Sequence, residues 1–273
     1  MRYHNSDGFF LKDYGVMNSV ELKVFAKLNL SLCITGVYDD GFHRVDTVLQ
    51  SVDIFDELTV KKRADGHCEA YGIDVPENTA LKAAELFVQT FKTGGADIYI
   101  KKGIPLSGGM GGSSADAAGV LAALSRLYGV PVSEVEPLAE RLGSDVKFML
   151  HGGRARATGR GETLEFLNHE KMHFVVLKPD FGLSTAEIYR QFDLAPNAES
   201  NALQAPALNF STVLREFFEA ASRVAEVTMT GSGSCFFAVC KDKDESAELC
   251  ARFKAAGFDA AECKSVEKGV EFF

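Results

Sequence analysis

The chain has 273 residues, more than one compact core usually organises, so two closely packed domains are expected. A net charge of −9 without any block rich in lysine and arginine argues against a nucleic-acid partner, which would be bound by phosphate neutralisation. No apolar run approaches the roughly 18 residues that span a bilayer, and the N-terminus lacks the pattern of a secretory signal, so we expect a cytoplasmic protein without a membrane partner.

The first half of the chain opens with a strong strand pattern. Apolar and polar residues alternate strictly over residues 22–34, which predicts a long strand with one buried face and one polar face that carries Lys27 and Asn29. A turn is indicated at 39–41, and residues 45–61 predict one or two further strands.

Helical and extended patterns then alternate toward the middle of the chain. Apolar spacing predicts a helix at 79–92, and a short alternation predicts a strand at 97–101. A loop rich in glycine and serine follows and leads into an alanine-rich helix. A further helix is predicted from Ser133, which can form a capping box with Glu136, to Gly143.

The second half continues with strands and helices in succession. A strand is predicted at 173–177, and Ser184 with Glu187 forms a capping-box pattern before a short helix. The remaining predicted elements are a helix at 211–223, strands near 225–229 and 235–240, a helix at 243–256 and a final strand near 260–266. This order predicts an α+β fold in which each half has a sheet covered on one face. We predict an N-terminal domain at residues 1–167 and a C-terminal domain at residues 168–273.

The strongest local motif is PLSGGMGGSSADAA at residues 105–118. Its glycines let the backbone curl around a ligand, and the unpaired amides at the start of the following helix point to the same place. Together they form an anion site suited to a polyphosphate. The motif is neither a Walker loop nor a dinucleotide fingerprint. A flexible glycine turn before an ordinary helix is the simpler alternative.

Three segments of the chain together resemble the GHMP kinases. PLSGGMGGS, from residue 105, is similar to the family's ATP-phosphate loop, FAKLNL at 25–30 to its N-terminal strand, and TGSGSC at 230–235 to its closing glycine turn. The three occur in the family's order over most of the chain. The resemblance implies a two-domain α+β GHMP kinase fold with an active-site cleft between the domains, ATP as phosphoryl donor, and Mg²⁺ carried mainly by ATP.

Further segments resemble the branch of the family that phosphorylates 4-diphosphocytidyl-2-C-methyl-D-erythritol, a precursor in non-mevalonate isoprenoid synthesis. They are ITG at 34–36, DGFH at 40–43, TVLQ at 47–50, LGSDV at 142–146 and the segment at 179–189. The resemblance implies a small-molecule cytidyl substrate phosphorylated on its 2-hydroxyl. Two alternatives stay open: a GHMP kinase for a mevalonate-like acid, homoserine or a sugar, and a non-catalytic ATP-binding relative. The sequence does not decide between a monomer and a homodimer.

The resemblance also implies a catalytic pair. Asp145 would take the proton from the substrate hydroxyl, and Lys27 would hold that carboxylate ionised beside the moving phosphate. Spacing alone favours other interpretations, because Asp145 can cap a helix after Gly143 and Lys27 can lie on a solvated strand face.

Two binding surfaces follow from the same resemblance. Phe42 and Tyr189 would stack on the cytosine and His43 would hydrogen-bond it, although spacing alone also permits a buried loop aromatic at Phe42 and a surface turn residue at His43. Asn29 and Thr185 complete the substrate side. The ATP side comprises Asn78, Lys102, Pro105, Gly108, Gly109, Gly111, Gly112, Ser113 and Ser114, with the closing turn at Gly231, Ser232 and Gly233. No residue is assigned to magnesium.

Four positions depart from the family pattern on the substrate side. Phe42 stands where tyrosine is usual, Lys147 stands where proline is usual, and residues 178–180 read Lys-Pro-Asp instead of Asn-Pro-Gly. The predicted catalytic groups are retained.

The segment HEKMH at 169–173 spells the zinc-protease pattern H-E-x-x-H, which binds metal only on a helix. Its neighbours predict a connecting loop and a strand instead. The six cysteines also lack the paired spacing of a zinc site, so we predict no zinc.

Overall fold

The computed structural model describes residues 17–73, 78–197 and 199–273. Most of residues 1–19, in which the sequence shows no clear period, lies outside this part of the chain. The strands in this part of the chain are β1 (Ser19–Val37), β2 (His43–Lys62), β3 (Cys68–Tyr71), β4 (Ala96–Lys101), β5 (Arg154–Gly159), β6 (Thr163–Phe166), β7 (His173–Leu177), β8 (Thr228–Met229), β9 (Phe236–Cys240), β10 (Ala260–Lys264) and β11 (Val270–Phe272). The helices are α1 (Thr79–Phe91), α2 (Gly112–Tyr128), α3 (Val132–Leu142), α4 (Val146–His151), α5 (Thr185–Leu194), α6 (Gln204–Phe210), α7 (Thr212–Ser222) and α8 (Lys243–Ala255).

The first sheet is built around β2. Its strands follow the order β11–β1–β2–β4–β3, with β5 also paired to β2 and β6 paired to β5. One edge of β2 pairs with β1 over nearly its whole length, and the other edge pairs with β5 through residues 45–50 and with β4 through residues 57–62. A single long strand therefore organises the sheet.

The alternation in β1 buries one side of the sheet against α2. Val20, Leu22, Val24, Ala26 and Leu28 are all buried in the first core, and each such aliphatic side chain larger than alanine contributes about 1.5–3 kcal/mol when it leaves water. Helix α2 is buried along most of its length, because the sheet covers one side and α1, α3 and α4 pack around the others. Its alanines and glycine keep it thin enough for this central position.

The second sheet follows the order β10–β7–β9–β8 with antiparallel neighbours. Helix α8 packs on it, and a second core gathers residues of this sheet and of α5 to α8. Strand β11 returns to the first sheet, where it pairs with β1. The domain boundary after residue 167 stays a prediction. Strand β11 belongs to the later half of the chain but joins the sheet of the earlier half.

Most predicted elements are present, but one cap was wrong, one strand is shorter than predicted and several short elements were missed. Helix α3 begins at Val132 after Pro131 and has no side-chain cap, so the capping box of Ser133 with Glu136 does not form. Helices α4 and α6 and strands β3, β5, β6 and β11 were not predicted. The strand expected near 225–229 is reduced to two residues. By contrast, the Ser184 hydroxyl does accept the backbone N–H of Glu187 at the start of α5.

The HEKMH segment lies in a connection that leads into β7, as the sequence predicted. None of the described helices has the length and apolar character needed to cross a membrane.

Candidate active site

A cavity of about 1060 Å³ is lined by residues of both halves of the chain. Every site residue predicted from the sequence lies on its wall, from Lys27 on β1 to Gly233 beyond β8. The structure therefore brings the predicted residues together in one place, while their individual roles stay predictions.

The glycine-rich segment between β4 and α2 forms a curled loop. Ser107, Gly109 and Gly111 have φ values of +51°, +74° and +75°, in the left-handed region that favours glycine. Gly111 precedes the first turn of α2 without any side chain that caps the helix amides. These amides and the positive end of the helix are thus available to an anion in the cavity.

The closing turn after β8 lies against this loop at backbone distance. The N–H of Cys235 donates to the carbonyl of Gly108 over 3.1 Å, and the N–H of Ser234 donates to that of Ser107 over 3.3 Å. A Cβ atom on Gly109 would lie only 2.2 Å from the carbonyl oxygen of Thr230. Glycine at this position is therefore required for the two segments to meet.

Lys27 and Asp145 meet beside the loop. Lys27 Nζ lies 3.5 Å from Asp145 Oδ2, and the Lys27 backbone N–H donates to the carbonyl of Met110 over 3.0 Å. The Lys27 side chain is only 5% exposed, so it does not lie on a solvated strand face. Asp145 precedes α4 but its side chain accepts no helix amide, so it is not acting as a cap. Both residues line the cavity.

Asn29 orients Lys27 through a short chain of hydrogen bonds. Lys27 Nζ donates to Asn29 Oδ1, and Asn29 Nδ2 donates to Thr47 Oγ1 over 2.8 Å. The Asn29 backbone N–H donates to Thr230 Oγ1 over 3.0 Å, which links β1 to the closing turn. The sequence analysis missed Thr47 and Thr230, although both lie within segments that it singled out.

On the substrate side, His43 and Phe42 differ in their surroundings. His43 is buried, so it is not a surface turn residue. Its ring centroid lies 4.8 Å from that of Tyr189. Phe42 is 52% exposed, so it is not a buried loop aromatic. The Arg160 guanidinium lies 4.7 Å from its ring centroid. Burial, with a further effect of the Asp145 charge, raises the pKa of Tyr189 to about 12, so its phenol stays protonated.

Two other predicted residues have additional contacts. Thr185 Oγ1 lies 2.8 Å from Ser232 Oγ, which joins the start of α5 to the closing turn. Asn78 caps α1, because its side-chain oxygen accepts the N–H groups of Ala80 and Leu81. Lys147, which stands where the family usually has proline, donates from Nζ to Glu140 Oε1 on neighbouring α3 over 2.7 Å.

A buried charge cluster lies beside the glycine-rich loop, where the sequence analysis predicted ATP. Lys102 Nζ donates to Asp56 Oδ2 and, over 2.8 Å, to Asp116 Oδ2. Asp56 Oδ1 accepts the backbone N–H groups of Gly103 and Ile104 over 2.7 and 2.8 Å. The cluster thus joins β2, the segment entering the glycine loop, and α2.

The sequence analysis missed Asp116, although a lone acid in an alanine-rich helix was a usable signal. It is 3% exposed, and its Oδ1 has no hydrogen-bond partner among the residues that the structure describes. Burial raises the pKa of Asp116 to about 7; the charge of Lys102 opposes that rise and the charge of Asp56 adds to it.

Comparisons with known proteins agree with this geometry. Residues 78–153 match the GHMP kinases N terminal domain and residues 186–259 match the GHMP kinases C terminal domain. The 4-diphosphocytidyl-2-C-methyl-D-erythritol kinase of Clostridium tetani (strain Massachusetts / E88) is 35% identical over 270 residues, covering 85% of this chain and 95% of the relative. The enzyme of that name from Desulfitobacterium hafniense (strain Y51) is 44% identical over 183 residues, which are 65% of this chain and 63% of the relative.

A solved structure is also similar over most of its length. The crystal structure of 4-(cytidine 5'-diphospho)-2C-methyl-D-erythritol kinase matches with a TM-score of 0.78 and 30% identity, covering 90% of this chain and 98% of the other. The chain therefore belongs to the GHMP kinases, and among them to the family of these 4-diphosphocytidyl-2-C-methyl-D-erythritol kinases. GHMP kinases are phosphotransferases that use ATP.

Replacing Asp116 by asparagine is expected to flatten the dependence of stability on pH. An acid whose pKa is raised by folding keeps its proton in the native state between about pH 4 and 7 and loses it in the unfolded state. Its contribution to stability is therefore present at low pH and lost as pH rises through about 7, with a slope of up to about 1.4 kcal/mol per pH unit.

Urea unfolding of wild type and Asp116→Asn at several pH values measures this slope. The difference between the two curves should change between about pH 5 and 7 and level off above 7. Parallel curves over that window would contradict a raised pKa at Asp116. Asp259→Asn, an exposed acid paired with Lys178 away from the cavity, is the control.

Proposed function

We propose that the chain transfers the γ-phosphoryl group of ATP to the 2-hydroxyl of 4-diphosphocytidyl-2-C-methyl-D-erythritol, in the cytoplasm and in non-mevalonate isoprenoid precursor synthesis. The observation that carries the proposal is the 3.5 Å approach of Lys27 to Asp145 beside the glycine loop, in a cavity that is also lined by Phe42, His43 and Tyr189. The name and coverage of the Clostridium tetani relative support the same substrate.

ATP would lie with its phosphates on the glycine loop. The amides at the start of α2 would bind the phosphate oxygens, and Lys27 and Lys102 would supply positive charge on either side. Within the described ranges, no group of three or more His, Cys, Asp or Glu side chains could hold a metal ion. Mg²⁺ would be carried mainly by ATP, bound by its phosphate oxygens.

Asp145 would accept the proton of the substrate hydroxyl. At the same time the hydroxyl oxygen bonds to the γ-phosphorus of ATP, and the bond between that phosphorus and ADP breaks. The Asp145 carboxylate is partly exposed to the cavity and its charge is stabilised by Lys27. Lys27 itself is fixed by Asn29, so its ammonium stays close to the transferring group. The cytosine would lie against the aromatic residues that line the cavity, which suit a base better than a small acid or sugar.

Release of ADP with MgATP and a panel of acceptors tests the function directly. The panel holds the cytidyl methylerythritol, mevalonate, homoserine and galactose, with product masses checked. We expect phosphorylation of the cytidyl compound alone. Activity on another acceptor would leave the kinase assignment intact and contradict the substrate, and ATP binding without any turnover would indicate a non-catalytic relative.

Asp145→Asn is expected to lower kcat by about 10²–10⁴-fold, because the amide cannot take the hydroxyl proton. Lys27→Ala should also abolish measurable turnover, because the charge beside the transferring phosphate is lost. Steady-state kinetics and circular dichroism measure both effects in folded protein. Asp259→Asn is the matched control and should retain wild-type kcat; near-normal kcat in Asp145→Asn would contradict the role of the base.

Phe42→Ala is expected to raise KM for the cytidyl substrate by about 5–100-fold, because base stacking contributes roughly 1–3 kcal/mol. KM for ATP should not change, since Phe42 is predicted on the substrate side only. Phe42→Tyr keeps the ring and should remain close to wild type. An unchanged KM in Phe42→Ala would remove Phe42 from the binding surface.

A further inference from the structure

One face of α5 contacts His43 through three side chains. The His43 ring lies 4.8 Å from Tyr189 and 6.1 Å, edge-on, from Phe192, measured between centroids. Its Nε2 lies 2.7 Å from Asp193 Oδ1. Positions 189, 192 and 193 are three and four residues apart, so they project from the same face of the helix. The contact joins the first residue of β2 to a helix of the second half.

The helix that makes these contacts is anchored. Ile188 and Phe192 are buried in the second core, and the Ser184 hydroxyl caps the helix start. Thr185 also bonds to Ser232 in the closing turn. Because α5 is tied at these points, Asp193 is presented to His43 from a fixed position although half of its own side chain is exposed.

The chemistry of this pair determines which nitrogen of His43 is available. An ionised carboxylate only accepts hydrogen bonds, so the nitrogen that faces Asp193 must carry a proton. Nε2 is therefore a donor that is already engaged, and Nδ1 is the remaining ring nitrogen. Without Asp193, the ring could flip or change tautomer and present either nitrogen, as a donor or as an acceptor.

We propose that Asp193 is a positioning residue that fixes the His43 ring, so that Nδ1 meets the pyrimidine of the substrate and the site distinguishes cytosine from uracil. The inference rests on the proposed function, which supplies the cytidyl group. The two bases differ at adjacent edge positions: cytosine has an acceptor at N3 and a donor at its amino group, and uracil has the reverse. A ring held in one orientation and one tautomer matches only one of these edges.

Asp193→Asn is the sharpest test, because the amide has the same shape but can donate or accept. We expect KM for the cytidyl substrate to rise about tenfold with kcat nearly unchanged, as a charge-assisted hydrogen bond is lost. The uridyl counterpart, measured as a competitive inhibitor, should bind relatively better in the variant than in wild type. A general loss of structure would not change this preference.

A double-mutant cycle shows whether Asp193 acts through His43. In a His43→Ala background, Asp193→Asn should have no further effect on KM. Glu187→Gln is the matched control, since Glu187 lies on α5 and, among the residues that the structure describes, its side chain bonds to Arg190 and Gln191 of its own helix and not to His43. It should leave KM and the base preference unchanged.

The outcomes separate this inference from the proposed function. A wild-type enzyme that does not phosphorylate the cytidyl compound would overturn both. A wild-type enzyme that does so, with unchanged KM and base preference in Asp193→Asn, would overturn the role of Asp193 alone. An equal effect of Asp193→Asn with and without His43 would also overturn it, because the effect would not pass through the ring.

Discussion

The cavity depends on the approach of two glycine-rich segments at backbone distance. A Cβ on Gly109 would collide with the Thr230 carbonyl, and one on Gly231 would lie 2.8 Å from the carbonyl oxygen of Gly109. The absence of side chains at both positions lets the phosphate loop, the closing turn and β1 meet. Thr230 completes the junction, because its hydroxyl accepts the Asn29 backbone N–H. Parts of the chain that are far apart in sequence thereby form one wall.

The same loop separates two buried cations that have acidic partners. A Cβ on Gly111 would lie 3.3 Å from the Lys27 side chain, and one on Gly112 would lie 3.3 Å from Lys102 Nζ. Each lysine is paired with aspartate, which offsets the cost of burying its charge. The start of α2 therefore lies between two ion-paired lysines, whose ammonium groups flank the place predicted for a polyphosphate.

The sequence predicted what local pattern determines. Alternation over 22–34 was sufficient for β1, and the glycine motif was sufficient for the loop before α2, because both patterns reflect backbone requirements of a single segment. Strand β11 escaped prediction because three residues carry no reliable period and its pairing with β1 is determined by tertiary contacts. The family resemblance singled out Lys27 and Asp145 as a catalytic pair. Spacing alone favoured an exposed lysine at Lys27 and a helix cap at Asp145.

Residues that act through long-range contacts were the hardest to predict. Asp193 lies on a helix that was predicted, yet nothing in its neighbours indicates a bond to His43, 150 positions earlier. Arg160 likewise meets Phe42 only because β5 pairs with β2. Such contacts depend on how the sheet and helices are assembled, which a local pattern does not encode.

The pairing of β11 with β1 has a consequence for biosynthesis. Leu22 is synthesised long before its partner Phe272, so β11 cannot pair with β1 until nearly all of the described chain has been made. Until then, this edge of the first sheet exposes unpaired backbone groups, which are a template for pairing with another chain. The nascent protein thus carries an open strand edge until β11 has been synthesised, a period in which chaperones that shield extended segments would protect it from association.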